Sequence, residues 1–249
     1  MLVIAHAVAS DPGLTHAANQ DRWLALPEDG VYLVSDGMAD ELPAQIVIDE
    51  FPRLLKHHLR DLGDRTGPAA HDRIRAAVAE LNEYVRARGR VDPDHHGMGA
   101  TLLVALLRGQ AALLVHVGDS RAYLWRQQRL EPVTRDHSLI QHLLDRGQLT
   151  PEAAVRFSGG GGPTRYIGMS GTPLPEMRKL QLLAGDRLLL CSDGLPNMLD
   201  DGKIAEVLAR NRASTETCQQ LIAAANAAGG NDNITALIIA IDGASVPSA

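Results

Sequence analysis

VYLVSDG at residues 31–37 and LLLCSDG at residues 188–194 share one plan: an apolar run that stops at Ser-Asp-Gly. LLVHVGDS at 113–120 repeats it with Asp119, and GGNDN at 229–233 reverses it, placing Asp232 just ahead of ITALIIAI. Short continuous apolar runs of this kind read as buried strands. An acid at the end of such a strand is held by a rigid element at the edge of the core. The neighbouring Gly lets the backbone come close, so its carbonyl can also serve as a ligand. A single Asp-Gly after a strand is an ordinary turn. Four strand-end acids would repel one another unless something positive neutralised them. Oxygen-only donors favour Mg²⁺ or Mn²⁺ over zinc.

Outward from these runs, residues 2–9 read as a first strand. From Leu42 to Arg60, Ile46, Val47, Phe51, Leu54, Leu55 and Leu59 recur at helical spacing, with Pro52 expected to kink or divide the helix. A second helix covers 69–88, followed by a turn-rich linker at 89–98. Strands at 100–107 and 111–117 flank a Gly109-Gln110 turn at hairpin spacing. A strand at 121–125 precedes a short helix at 138–146, with His137 as its candidate cap. Thr150-Pro151-Glu152 looks like a helix start, with Pro in the first helical position. SGGGGP at 158–163 reads as the most flexible stretch. Strands at 176–183 and 187–191, helices at 202–210 and 214–227, and a strand at 234–241 complete the pass. Strands come in runs and helices in pairs, which indicates α+β with mainly antiparallel sheets.

Composition narrows the chemistry. The 249 residues are 45% apolar and 22% charged, an ordinary globular balance, but only 3% aromatic. The core must therefore be aliphatic, and stacking platforms for single-stranded nucleic acid are not expected. A formal charge of −6 argues against nucleic acid or an anionic membrane as partner. The N-terminal MLVIAHAVAS lacks a basic leader and reads as a strand rather than a signal peptide; no run reaches the 18 or so apolar residues of a membrane span. Cytoplasmic localisation is the default expectation. Cys191 and Cys218 sit in apolar runs and read as buried thiols. There is no Gly-x-Ser-x-Gly elbow, no P-loop and no Cys-x-x-Cys pair. The pair His57-His58, on a predicted polar helix face, lacks the spacing of a helical zinc site, and His95-His96 sit in a loop. His6 and His116 lie in strands and are expected to be packed and hydrogen-bonded.

Taken in order, SDPGLTHAANQDRW (10–23), VSDGM (34–38), GMGATLLVAL (97–106), VGDSRAYLW (117–125), TRDHSLI (134–140), LCSDGL (190–195) and GGNDNITALII (229–239) form a pattern. It resembles the bacterial metal-dependent Ser/Thr protein phosphatases of the type 2C (PPM) family. The match runs over about residues 3–241. The resemblance implies a four-layer α-β-β-α sandwich, two antiparallel sheets flanked by antiparallel helix pairs. A single domain over 1–242 and a loose tail at 243–249 are expected.

It also implies two Mn²⁺ or Mg²⁺ ions at one end of the sandwich, with a third, weaker site. Asp36 matches the residue that bridges two metals, and the Gly37 carbonyl matches a ligand of the second. Asp193 and Asp232 match ligands of the first, Asp119 a ligand of the third, and Asp21 an acid acting through water. Asp36, Asp193 and Asp232 are thus the implied catalytic set. The implied reaction is hydrolysis of phosphoserine or phosphothreonine by a metal-bridging hydroxide, without a covalent intermediate. The substrate would be a phosphorylated protein, the product of a Ser/Thr kinase. Residues 145–170 match a flap beside the site.

Three positions depart from the family pattern. His16 stands where the phosphate-binding Arg is expected, replacing a bidentate fork by a ring only partly charged at neutral pH. Gln20 stands for an acid, and Ala39-Asp40 stands for Gly-Gly. The alternative reading is a non-catalytic, phosphoprotein-binding pseudophosphatase of the same fold.

Overall fold

The computed structural model describes residues 2–154, 162–210 and 213–243. The chain runs through β1 (Leu2–Asp11), β2 (Arg22–Leu26), β3 (Val31–Ser35), the two-residue β4 (Gly37–Met38), α1 (Leu42–His58) and α2 (Pro68–Val91). Next come β5 (Gly99–Ala100), β6 (Leu102–Arg108), β7 (Ala111–Val117), β8 (Arg121–Arg126), β9 (Arg129–Pro132), α3 (Leu139–Asp145) and α4 (Pro151–Ala154). Then follow β10 (Glu176–Gln181), β11 (Arg187–Cys191), α5 (Gly194–Met198), α6 (Asp201–Ala209), α7 (Ser214–Ala227) and β12 (Ile234–Gly243). Two five-stranded sheets result, in the orders β1-β12-β11-β8-β9 and β10-β7-β6-β3-β2. Every pairing within them is antiparallel.

The unbroken apolar runs have a direct explanation: the central strands are buried on both faces. In β3, Val31 and Leu33 pack with Phe51, Ile74 and Leu81 of α1 and α2, while Tyr32 and Val34 face the other sheet. In β11, Leu189 and Cys191 pack with Ile204, Leu208 and Leu221 of α6 and α7, while Leu188 and Leu190 face inward. The period of two sends alternate side chains to opposite cores. The layer order is therefore α1/α2, sheet, sheet, α6/α7, as the sequence led us to expect. Both cysteines are buried.

Several local expectations change. Helix α1 runs undivided through Pro52. Helix α2 continues to Val91, so residues 89–91 of the expected linker are helical. The strand expected at 100–107 is split: Ala100 pairs with Gly37, and the longer strand begins at Leu102. His137 does not cap α3; the Ser138 hydroxyl accepts from the Gln141 N–H at 3.2 Å instead. His6 is exposed on β1, with its ring edge-on to Tyr32. His116 is buried as expected, but among the described residues neither of its ring nitrogens has a partner at full hydrogen-bond geometry. Most of the expected flexible run, residues 158–161, and the tail at 244–249 lie outside the described residues.

Candidate metal centre

Strand register brings the acids to one end of the sandwich. Ser35 at the end of β3 pairs with Arg22 at the start of β2, so Asp36 and Asp21 are neighbours. Cys191 at the end of β11 pairs with Ala236 of β12 and with Arg121 of β8. Asp193 therefore lies beside Asp232, which precedes β12, and close to Asp119, which precedes β8. The two halves meet there: Asp36 feels the charges of Asp21, Asp193, Asp119 and Asp232 together. All six metal-site positions expected from the sequence, Asp21, Asp36, Gly37, Asp119, Asp193 and Asp232, belong to this end.

The electrostatics of the cluster are unfavourable in a specific way. Burial, then the neighbouring carboxylates, hold the Asp36 carboxyl well above the usual range. Burial likewise pushes Asp21 and Asp119 up to about 7 and Asp193 to about 6. Asp36 and Asp193 are close enough to share a proton. With both ionised neither can donate, and Asp193 Oδ1 is left buried without a partner among the described residues. Asp21 accepts from the Ser192 and Thr235 hydroxyls at 2.6 and 2.7 Å through Oδ2, while its Oδ1 is buried and unpartnered. Arg121, whose charge reaches Asp119, is already engaged bidentately by Asp136 at 2.8 and 2.6 Å. Orphaned carboxylate oxygens in a cluster of like charges fit a hard divalent ion. Gly37 fits the same role, because a Cβ there would meet the Asp40 carbonyl at 2.5 Å and the Gln20 carbonyl at 2.9 Å.

Hydroxyl and amide groups that the sequence reading passed over hold the acids in place. Thr101 Oγ1 accepts from the Asp36 N–H at 2.9 Å and bonds Ser120 Oγ at 2.7 Å. Asn233 accepts from the Gln20 N–H at 2.7 Å and donates to the Pro12 and Ala18 carbonyls at 2.9 and 3.0 Å. It thus ties the β1–β2 connection to the residue after Asp232. The signal was present in GATLL and GGNDN, but the partners lie too far along the chain to be read. His16 is half-exposed, with Nε2 3.5 Å from Asp232 Oδ1, so it reaches the rim of the cluster. Asp40 does not face the cluster with a free carboxylate; it pairs with His95 at 2.5 Å.

A second group of ligand-type side chains, His116, His137 and Glu176, has donor atoms within 4.8 Å of one another. Its chemistry opposes a cation. His137 Nδ1 accepts from the Gly118 N–H at 3.0 Å, which puts the ring proton on Nε2, facing Glu176 Oε1 at 3.4 Å, and the cationic Arg165 Nη1 lies 3.1 Å from that nitrogen. No lone pair is left there for a metal.

Comparison with known proteins bears on the family and the fold. The family model described as Protein phosphatase 2C matches residues 14–238. The chain is 36% identical over 242 residues to the serine/threonine protein phosphatase PstP of Mycobacterium tuberculosis, covering 95% of this chain and 45% of that protein. It therefore spans about half the length of that relative. It is 30% identical over 213 residues to the serine/threonine phosphatase stp of Listeria monocytogenes, covering 85% of this chain and 84% of that one. A crystal structure of the PstP catalytic domain in complex with two manganese ions superposes with a TM-score of 0.82 at 33% identity, covering 98% of this chain and 100% of that one. With a family model spanning most of the sandwich and a solved relative matching its fold from end to end, the chain belongs to the protein phosphatase 2C family.

Proposed function

We propose that the chain hydrolyses phosphoserine and phosphothreonine in proteins with two divalent ions, Mn²⁺ or Mg²⁺. Asp36, the Gly37 carbonyl, Asp193 and Asp232 would hold them, with Asp119 serving a third, weaker position. The observation that carries this reading is the meeting of five acids at one strand-end cluster, with orphaned oxygens on Asp21 and Asp193. When bound, the ions supply positive charge that acidifies water and offsets charge on the phosphoryl oxygens.

The remaining steps fall to the chain's own groups. Asp21 keeps Oδ2 under two hydroxyl donors and leaves Oδ1 to accept from water. His16 reaches the rim beside Asp232, where it can meet a phosphate oxygen. Neither cysteine can act as a nucleophile, because burial pushes the Cys191 thiol up and the Cys218 thiol to about 12, leaving both protonated. Direct hydrolysis by water, with no covalent phospho-enzyme, is the consistent route. The substrates are products of a Ser/Thr kinase. Among the described residues, no helix is long and apolar enough to cross a membrane.

The test is hydrolysis of p-nitrophenyl phosphate and a phosphothreonine peptide, with and without Mn²⁺. Activity should require the ion, vanish with chelator, and fall at least about 100-fold in Asp193→Asn, more than loss of a mere supporting partner. Wild-type protein that binds Mn²⁺ in calorimetry yet hydrolyses neither substrate would overturn the enzyme and leave a phosphoprotein-binding module. His16→Arg should lower KM for the phosphopeptide with little change in kcat; an unchanged KM removes His16 from phosphate binding.

A further inference from the structure

The loop that follows Gly37 is held in a conformation its sequence does not favour. Ala39 sits at φ +80°, a region that a residue with a Cβ rarely adopts. Strain of this kind persists only where the surroundings over-determine it. Four contacts do so here. The Gln20 side-chain amide donates to the Ala39 carbonyl at 3.0 Å. Asp40 Oδ1 accepts from the Leu42 N–H at 2.7 Å. Arg22 pairs with Glu41. Asp40 Oδ2 meets His95 Nδ1 at 2.5 Å, tying the loop to the 3-10 turn at Pro93–His95 beyond α2.

That last contact bears directly on the metal centre. The Asp40 main chain packs so closely on Gly37 that a Cβ on Gly37 would lie 2.5 Å from the Asp40 carbonyl. Whatever fixes Asp40 therefore fixes Gly37. Both Asp40 carboxylate oxygens are engaged, so this extra acid is withheld from the cluster. The geometry points to Asp40 and His95 as positioning residues: their hydrogen bond keeps the strained Ala39 turn in place and so presents the Gly37 carbonyl to a divalent ion. This rests on the metal-centre reading above.

The experiment is Mn²⁺ binding to the full chain without substrate, by titration calorimetry and by the electron paramagnetic resonance of free Mn²⁺. The variants are Asp40→Ala and His95→Ala, singly and together, each with and without Ala39→Gly. Each single change should weaken Mn²⁺ binding about 10-fold, the scale seen when a partner behind a metal ligand is lost. Asp40→Ala also loses the Leu42 contact, so the double variant should be no weaker than Asp40→Ala, which has already lost the contact that His95→Ala removes. Adding Ala39→Gly should restore most of the affinity, because Gly adopts positive φ without strain. A purely structural role would lower the melting temperature and gain nothing from Ala39→Gly.

Unchanged binding in both single variants overturns the inference. So does tighter binding in His95→Ala, which would mean that a freed Asp40 takes up the ion, or a loss that Ala39→Gly does not repair. Should Asp40→Ala fail to fold, His95→Ala decides alone, since its turn lies outside the core. Wild-type protein that fails to bind Mn²⁺ overturns the metal-centre reading and this inference with it. Normal wild-type binding with unaffected variants overturns this inference only.

Discussion

Ser35 and Ser192 hold the same place in the two Ser-Asp-Gly triplets, yet their hydroxyls act on different targets. Ser35 donates to the Thr101 carbonyl at 2.6 Å and so joins β3 to the start of β6. Ser192 donates to Asp21 Oδ2 and accepts from the Thr235 N–H at 2.9 Å, joining three separate segments. Ser192→Ala would strand a buried N–H and remove one of the two donors that favour the ionised form of Asp21. The expected cost is about 1–3 kcal/mol in urea unfolding, together with weaker Mn²⁺ binding. A loss under about 0.5 kcal/mol would mean that water replaces the hydroxyl. The triplets were legible in the sequence, and so were the acids they carry. The hydroxyl roles were not, because the partner of Ser192 is 171 positions away and nothing local marks it. The same reason hid Asn233, and it misassigned His137, whose Nδ1 turns to Gly118 rather than to the helix it precedes.

At the level of elements, legibility followed length and two-sided burial. Strands such as β6, β7, β11 and β12 are nearly all apolar because each face meets a different core, and that made them plain in the sequence. β9 has only four residues, mostly exposed, and α5 has five, too few for periodicity to register. β4 and β5 are two residues each and exist only because the Asp36 loop and the 97–101 segment meet. The two cores also make a prediction. Leu189 faces α6 and α7, Leu190 faces the other sheet, and both are fully buried. Either residue changed to Ala should lose about 2–5 kcal/mol in denaturant unfolding, because packed neighbours relax only partly around the gap. Val3→Ala on the half-exposed face of β1 should stay within about 0.5 kcal/mol. Equal, small effects at Leu189 and Leu190 would contradict a close-packed four-layer stack.

For the molecule as a whole, the formal −6 is small, but part of it is concentrated where it opposes folding. Asp21 and Asp119 stand near 7 and Asp193 near 6 when folded, against 3.8 when unfolded. The folded chain without ions therefore holds protons that the unfolded chain has released between about pH 4 and pH 7. Stability from this source is full below pH 4 and falls as pH rises through 6 and 7. For Asp21 alone, 3.8 to about 7 corresponds to on the order of 4 kcal/mol at neutral pH. Divalent ions compete with those protons, so their stabilising effect should grow over the same interval. In chelator, the melting temperature should drop by on the order of 10 °C between pH 5 and pH 7.5, taking roughly 2–4 °C per kcal/mol for a chain of this size. With saturating Mn²⁺ the drop should largely disappear, so the shift caused by the ion is larger at pH 7.5 than at pH 5. Asp193→Asn should raise the metal-free melting temperature at pH 7.5 while removing the response to Mn²⁺, because it deletes a charge that only an ion makes tolerable. A metal-free melting temperature that rises from pH 5 to pH 7.5 would show that the strand-end acids ionise without penalty, and the case for a cation at their centre would lose its physical basis.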